Sequence, residues 1–209
     1  MNILHKSIFL FTIGIMTLLG ACSPKAEGNF TEAELSLISA ADSIMRVLTI
    51  ADNADNEVLR SECSDFSREA LLSEDYARLE QLMIATVTHP SQDGVGIAGP
   101  QVGLKRRVVA VQRFDKEGEP FEVYPNIRIT WASDSLEVGP EGCLSVPNRR
   151  GDVKRSQEII IEYADMEALR SGKASDEIPM RKETIEDFTA VIFQHEADHL
   201  DGVLYIDRL

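Results

Sequence analysis

His195 and His199 stand four residues apart in QHEADHLDG (194–202), with Glu196 beside the first of them. On a helix, residues i and i+4 share a face with Cβ atoms about 5–6 Å apart, so two imidazoles can hold one ion. Glu196 is turned by about 100° from His195, where its carboxylate reaches water at the ion without being a ligand. The same spacing opens the helix of a zinc protease, which needs a further ligand downstream. Only Asp201 and Asp207 follow as candidates, one too near in sequence to swing back and the other two residues from Leu209. The missing ligand is therefore sought upstream, where Cys143 in EGCLSVP (141–147) is the best candidate. A thiolate with two imidazoles leaves one open position, the layout of a catalytic site. Taken alone, Cys143 reads as readily as a small buried hydrophobe.

The segment 185–199 must carry this pair, and it reads as a helix with Phe188, Val191, Ile192 and the histidines on one stripe. Residues 107–111, 121–129 and 158–163 are β-rich runs bounded by Gly, Pro and Asp, and 171–176 reads as a charged loop. Before residue 100 the period is helical. Leu35, Ile38, Ile44 and Val47 recur at three- to four-residue steps behind Thr31 and Glu34, which have the form of a capping box. Asp52 to Asn56 reads as a break, and a second helix is expected over 73–86, ending before His89-Pro90. The fold class is α+β, in one domain without internal repeats.

The chain has 209 residues, 44% hydrophobic and 27% charged, with a formal net charge of −14. Such an acidic surface repels phosphate backbones, so no nucleic-acid partner is expected. Three cysteines, at 22, 63 and 143, do not make a disulfide scaffold. Residues 8–19 form an apolar run of twelve, short of the roughly 20 needed to span a bilayer. With Lys6 before it and Gly20-Ala21-Cys22 after it, the run reads as a secretory signal. Leu19-Gly20-Ala21-Cys22 is similar to a bacterial lipoprotein signal, which would make Cys22 the lipidated first residue of the mature protein. The expected organisation is a signal over 1–21, a polar tether over 22–30 and a catalytic domain over 31–209 that begins with a helical segment.

GVGIAGPQVG (94–103), EGCLSVP (141–147) and QHEADH (194–199) resemble, in order and style, the three signature motifs of peptide deformylase, over roughly 45–209. The resemblance implies small antiparallel sheets packed around a central metal-binding helix. It implies removal of the formyl group from formyl-methionyl peptides by a monomer. One divalent metal ion would be held by Cys143, His195 and His199, with ferrous iron expected as the native ion and zinc, nickel or cobalt accepted. Sulfur and imidazole donors suit zinc or iron alike. Such an ion activates water near neutral pH, and Glu196 would serve as general base and then acid. The Gln101 side chain and the Leu144 backbone N–H would stabilise the oxyanion. Formyl is the smallest acyl group, so a crowded site excludes larger ones by sterics.

By the same resemblance, the segments with Gly94 and Gly96 and with Glu141 and Gly142 flank an extended peptide. The two glycines would allow close approach of its backbone. Val95, Phe188, Val191 and Ile192 would receive the methionine side chain, and Arg150 would lie near the peptide's path, unless it is one more surface arginine like Arg149 and Arg155. Asp198 would orient a partner near the ligands. GVGIAG also has the form GxGxxG, but no βαβ unit surrounds it. Gly99 replaces a usual alanine, with slight loosening expected, and a long C-terminal helix found in many members is missing. A signal peptide on a deformylase sends it away from ribosomes, toward formyl-peptides outside the inner membrane. Two other readings differ in class: a zinc metalloprotease, which would ignore Cys143, and a formyl-peptide-binding lipoprotein, which would not need Glu196.

Overall fold

The computed structural model describes residues 27–92, 94–172 and 177–209. The signal, most of the tether and Cys22 lie outside the described residues, as does most of the expected charged loop. Four helices lead: α1 (Glu32–Ala40), α2 (Asn53–Leu59), α3 (Arg68–Leu71) and α4 (Glu74–Val87). Strands β1 (Gly96–Ala98), β2 (Val108–Gln112), β3 (Phe121–Pro125), β4 (Arg128–Ala132), β5 (Leu136–Cys143), β6 (Val146–Ser156) and β7 (Glu158–Ala164) follow. Then come α5 (Met166–Arg170), β8 (Met180–Glu186) and α6 (Asp187–Leu200). The strands form three antiparallel sheets, ordered β1-β2-β3, β4-β7-β8 and the hairpin β5-β6. Helix α6 is packed by all three, as expected for a helix that must hold a buried site. No helix among the described residues is long and apolar enough to cross a membrane.

Local chemistry explains most boundaries. Thr31 and Glu34 complete the capping box of α1, and Ser73 caps α4 through the Tyr76 N–H. Where the pattern predicts that α1 continues through Ile44 and Val47, it stops at Ala40. Arg78 from α4 donates to the carbonyls of Ile38 and Ala41, satisfying the helix end from outside. The chain then runs extended, and its N–H groups are spent on site elements: Leu48 on the Gln101 carbonyl at 2.8 Å and Ile50 on the Ser145 carbonyl at 3.0 Å. Asp52 to Asn56 is not a break but a helix start, because the Asp52 carboxylate accepts from the Ala54 and Asp55 N–H groups.

Residues 121–129 are not one strand. Asn126, at φ 54°, turns the chain between sheets, and its amide is bonded to both the N–H and the carbonyl of Phe66. Ile185 belongs to β8 rather than to the helix; Asp187, at φ 55°, makes the abrupt change from strand to α6. Two large apolar cores and one smaller cluster result. One large core gathers α4 with Phe30, Ile38 and Phe66, and the other gathers Val109, Ile159, Ile161 and Phe193 behind the inner face of α6. The smaller cluster joins Val146 and Val153 of β6 to Leu204 and Tyr205.

Candidate metal centre

Cys143 ends β5 at the turn Leu144-Ser145, where the register with β6 shifts, and the hairpin lays its thiol against α6. Its Sγ lies 3.3 Å from His199 Nε2. One donor atom each from Cys143, His195 and His199 falls within 4.8 Å of the others. Bonds of about 2.0–2.3 Å to a shared ion place donors under about 4 Å apart, so the group fits an ion with little movement. The other downstream candidates are committed elsewhere: Asp201 pairs with Arg107 at 2.6 Å and Asp207 with Arg60. His89 is exposed and bonded to Ser91.

The ligands are oriented by a buried ionic chain. His195 Nδ1 meets Glu141 Oε2 at 2.7 Å, which leaves Nε2 for the ion. Arg155 donates to both Glu141 oxygens at 2.7 and 3.0 Å, and to Asp198 Oδ2 at 2.7 Å. Arg208 donates to both Asp198 oxygens, sharing Oδ2 with Arg155. Burial pushes the Glu141 carboxyl up, but the bonds from His195 and Arg155 outweigh it and bring it to about 2. His199 is pushed well below the ordinary histidine range, chiefly by its complete burial. That keeps it neutral, as a ligand must be. Tyr205 stacks on His195 from the opposite side, with centroids 6.0 Å apart.

Sequence reasoning placed Glu141 against the peptide. It borders the cavity, but its carboxylate is turned inward to His195. Arg155, expected from the sequence at the surface, is only 4% exposed. A buried arginine demands acids, and Glu141 and Asp198, each within two residues of a ligand, were the visible signal for it. Asp198 takes the orienting part expected of it, through Arg155. Tyr205 and Arg208 carried no signal that singled them out.

Glu196 is 4% exposed, and its Oε2 has no hydrogen-bond partner among the described residues. Burial raises its carboxyl to about 7. It fits only because residue 96 is glycine: a Cβ there would stand 2.5 Å from Glu196 Oε1. At Gly94 a Cβ would press on Val87 and Leu144, at 3.0 and 3.1 Å. The protein's own packing therefore crowds position 96 strongly and position 94 slightly, and both glycines also line the cavity to which a peptide would come. Gly99 is a further correction. Its Cβ would meet the backbone oxygens of Arg106 and Leu104 at 2.5 and 2.9 Å, so the glycine relieves a clash rather than loosening the site.

Gln101 sits on the 3-10 turn after β1. The Ala98 N–H fixes its Oε1 at 2.8 Å, which turns Nε2 toward Cys143 Sγ at 3.6 Å and Ser145 Oγ at 3.2 Å. Its donor end thus faces the ligand group. A cavity of about 830 Å³ opens onto these atoms. Gly94, Val95 and Gly96 form one wall, Gly142 and Leu144 another, and Phe188, Val191 and Ile192 of α6 a third. Arg150 stands at its rim with Arg149. Cys63 lies apart from it, a free thiol that burial pushes up to about 12.

The pattern that defines the polypeptide deformylase family matches residues 45–209. The chain belongs to the peptide deformylase family. It is 38% identical over 161 residues to a peptide deformylase of Leptospira biflexa, covering 74% of this chain and 83% of that protein. With peptide deformylase 2 of a Nostoc species it shares 44% over 142 residues, 64% of this chain and 73% of that one. The class I type b peptide deformylase of Acinetobacter baumannii bound to actinonin superposes with a TM-score of 0.66 at 30% identity, over 80% of this chain and 99% of that one. The Met-Ala-Ser complex of that enzyme gives 0.67 at 29%, over 81% and 100%. The α+β fold of small antiparallel sheets around a central helix is the deformylase fold.

Proposed function

We propose that this deformylase hydrolyses the N-terminal formyl group of formyl-methionyl peptides and releases formate. The observation that carries the reading is the convergence of Cys143, His195 and His199 beside a buried, unpartnered Glu196 at the floor of an open cavity. One divalent ion is held by the three donors; ferrous iron is the expected native ion, with zinc, nickel or cobalt as substitutes. When bound, the ion acts as a Lewis acid toward water and the formyl oxygen. Glu196 takes a proton from water at its unpartnered Oε2 and returns it to the departing amine, a task for which a carboxyl near 7 is matched. Gln101 Nε2 and the Leu144 N–H donate to the oxygen of the tetrahedral state. Val95, Phe188, Val191 and Ile192 receive the methionine side chain, beside the strand-like edges at Gly94–Gly96 and Glu141–Gly142.

A zinc protease drawing its third ligand from downstream is disfavoured, since Asp201 and Asp207 are ion-paired with arginines. A pure binding protein would have no use for a buried carboxylate left without a partner. The deciding assay is formate release from a formyl-Met peptide by metal-loaded protein. Glu196→Ala is expected to abolish turnover while retaining metal, and Cys143→Ala to lose both. Unchanged activity in Cys143→Ala would remove that residue from the ligand set.

For location, the reading is an exported lipoprotein held to the membrane through Cys22, acting on formyl-peptides outside the inner membrane. It rests on Leu19 to Cys22 in the sequence; stable anchoring requires more than one acyl chain. Labelled palmitate incorporated by the wild type and not by Cys22→Ser supports it, and recovery of unlabelled protein in the cytosol rejects it.

A further inference from the structure

The outer lip of the cavity rests on an aromatic pair, Phe188 and Phe114. Phe188, second residue of α6, is 54% exposed and lines the cavity. It stands seven residues before the ligand His195, about 10 Å farther out along the helix axis, with Val191 and Ile192 one turn nearer to the ligand. Strand β8 turns abruptly into α6 at Asp187, so Phe188 has no preceding helical turn to rest on. What stands against it is Phe114, from the loop between β2 and β3: the ring centroids are 5.3 Å apart and tilted by 51°. Phe114 is itself half-buried against the core behind α6. Its two neighbours pin it. Arg113, 1% exposed, donates to the two Asp115 oxygens at 2.8 and 2.6 Å, and to Glu183 of β8 at 2.9 Å. That fork closes the chain beneath Phe114, and the Arg113 N–H adds a bond to the Pro120 carbonyl at 2.8 Å. One residue earlier, the Gln112 N–H bonds the Val95 carbonyl at 2.8 Å, so the same end of β2 fixes a second wall of the cavity.

We propose that Phe114 is a positioning residue for specificity: it holds the Phe188 ring in place as the outer wall of the side-chain pocket, so that formyl-peptides beginning with a long, unbranched apolar residue are favoured. This rests on the deformylase reading and adds a residue to it. An alanine side chain ends at Cβ and stays near the formyl group, whereas the methionine thioether extends outward along α6, past Ile192 toward Phe188. Sulfur about 5 Å from an aromatic ring makes an attractive contact. A half-exposed phenylalanine without support must give up rotamer freedom when such a side chain arrives, at a cost equivalent to about two- to tenfold in affinity. With Phe114 against it, the ring is ordered before the peptide binds. Phe114 does not itself line the cavity, so its influence passes through Phe188.

The test compares formyl-Met-Ala-Ser with formyl-Ala-Ala-Ser as substrates of the metal-loaded wild type, Phe114→Ala, Phe114→Leu, Phe114→Tyr, Phe188→Ala and the Phe114→Ala/Phe188→Ala double variant. In Phe114→Ala the ratio of kcat/KM for the two peptides is expected to fall about two- to tenfold, through a higher KM for the methionyl peptide, with kcat and metal content kept. Phe114→Tyr keeps the ring and should keep the ratio. Phe114→Leu keeps only apolar bulk and should lower the ratio by a smaller factor. In the double variant the loss should be no greater than in Phe188→Ala alone. Thermal melting verifies folding, and Phe114→Leu carries the test if Phe114→Ala does not fold. An unchanged ratio in whichever of these two folds overturns the assignment. Equal losses on both peptides, or lost metal, overturn it too, because the change then acts through α6 as a whole. Additive losses in the double variant do the same, since Phe114 would then not act through Phe188. No formate from either peptide with the wild type rejects the deformylase reading itself, which a changed ratio with intact turnover does not.

Discussion

Replacing Gly96 by alanine separates the position of Glu196 from every other property of the site. The new Cβ would stand 2.5 Å from Glu196 Oε1 and 2.9 Å from its Cδ and Cγ, where ordinary contact begins at 3.4 Å. The carboxylate must therefore retreat by about 0.9 Å, the difference between 3.4 and 2.5 Å. Misplacing a reacting group by about 1 Å costs on the order of 100-fold in rate, and a general base contributes about 10²–10⁴-fold in all. A loss near 100-fold in kcat corresponds to about 2.7 kcal/mol of activation free energy. Stability should fall by at most ~1–3 kcal/mol, because a side chain and not backbone has to yield. The three atoms nearest the new methyl all belong to Glu196 and none to the Cys143, His195 and His199 group, so metal content is expected to match the wild type. Formate release, metal analysis and thermal unfolding measured on one preparation decide the matter, with Glu196→Ala as the floor of activity. Activity within threefold of wild type at full metal content refutes the steric argument, and lost metal shows that the effect runs through the ligands instead.

Three further outcomes follow from the same atoms. Gly99→Ala, which introduces the residue usual in relatives, should lower the melting temperature, because backbone oxygens at 2.5 and 2.9 Å cannot rotate away; an unchanged or higher value contradicts this. Arg155→Met strands Glu141 and Asp198 without their shared cation and should cost about 3–5 kcal/mol by denaturant unfolding, with faster loss of metal to a chelator; Arg208→Ala, at a more exposed partner of Asp198, should show the weaker effect. For Glu34, burial raises the carboxyl, but bonds from Arg106 and Thr31 outweigh it and hold it below its ordinary 4.5. Its pairing thus contributes stability above that value, lost as pH falls through the depressed folded pKa. The stability gap between wild type and Glu34→Gln should be full at pH 7 and narrow in acid; a gap constant down to pH 3 rejects the assignment.

The parts of this site that lie on one short segment were legible from spacing alone. His195, Glu196 and His199 are set by helical geometry, and Cys143 followed once the downstream acids were judged unsuitable. Helix α4 and strands β2 and β7 were legible for the same reason, since their periods and caps are local. The errors arose where distant residues decide. Arg78 ends α1 from another helix, Asn126 divides an apparently continuous β-run by bonding Phe66, and Arg155 is buried only because Glu141 and Asp198 converge on it. The glycines were legible only in part. Their spacing marked close approach, but not that the approaching group is Glu196 at one and a carbonyl at another.

Cys143 and His199 are 56 residues apart in sequence and 3.3 Å apart in the fold. An unfolded chain keeps its two histidines four residues apart but carries the thiol far away, so with the proposed ligands it would be a two-donor binder and the folded chain a three-donor one. Mass action then makes the ion a selective ligand of the native state. Each tenfold rise in free ion beyond its dissociation constant adds about 1.4 kcal/mol to unfolding, less whatever the histidine pair retains. With the proposed ligands, the stability of this enzyme would depend on the free metal around it as well as on its own packing.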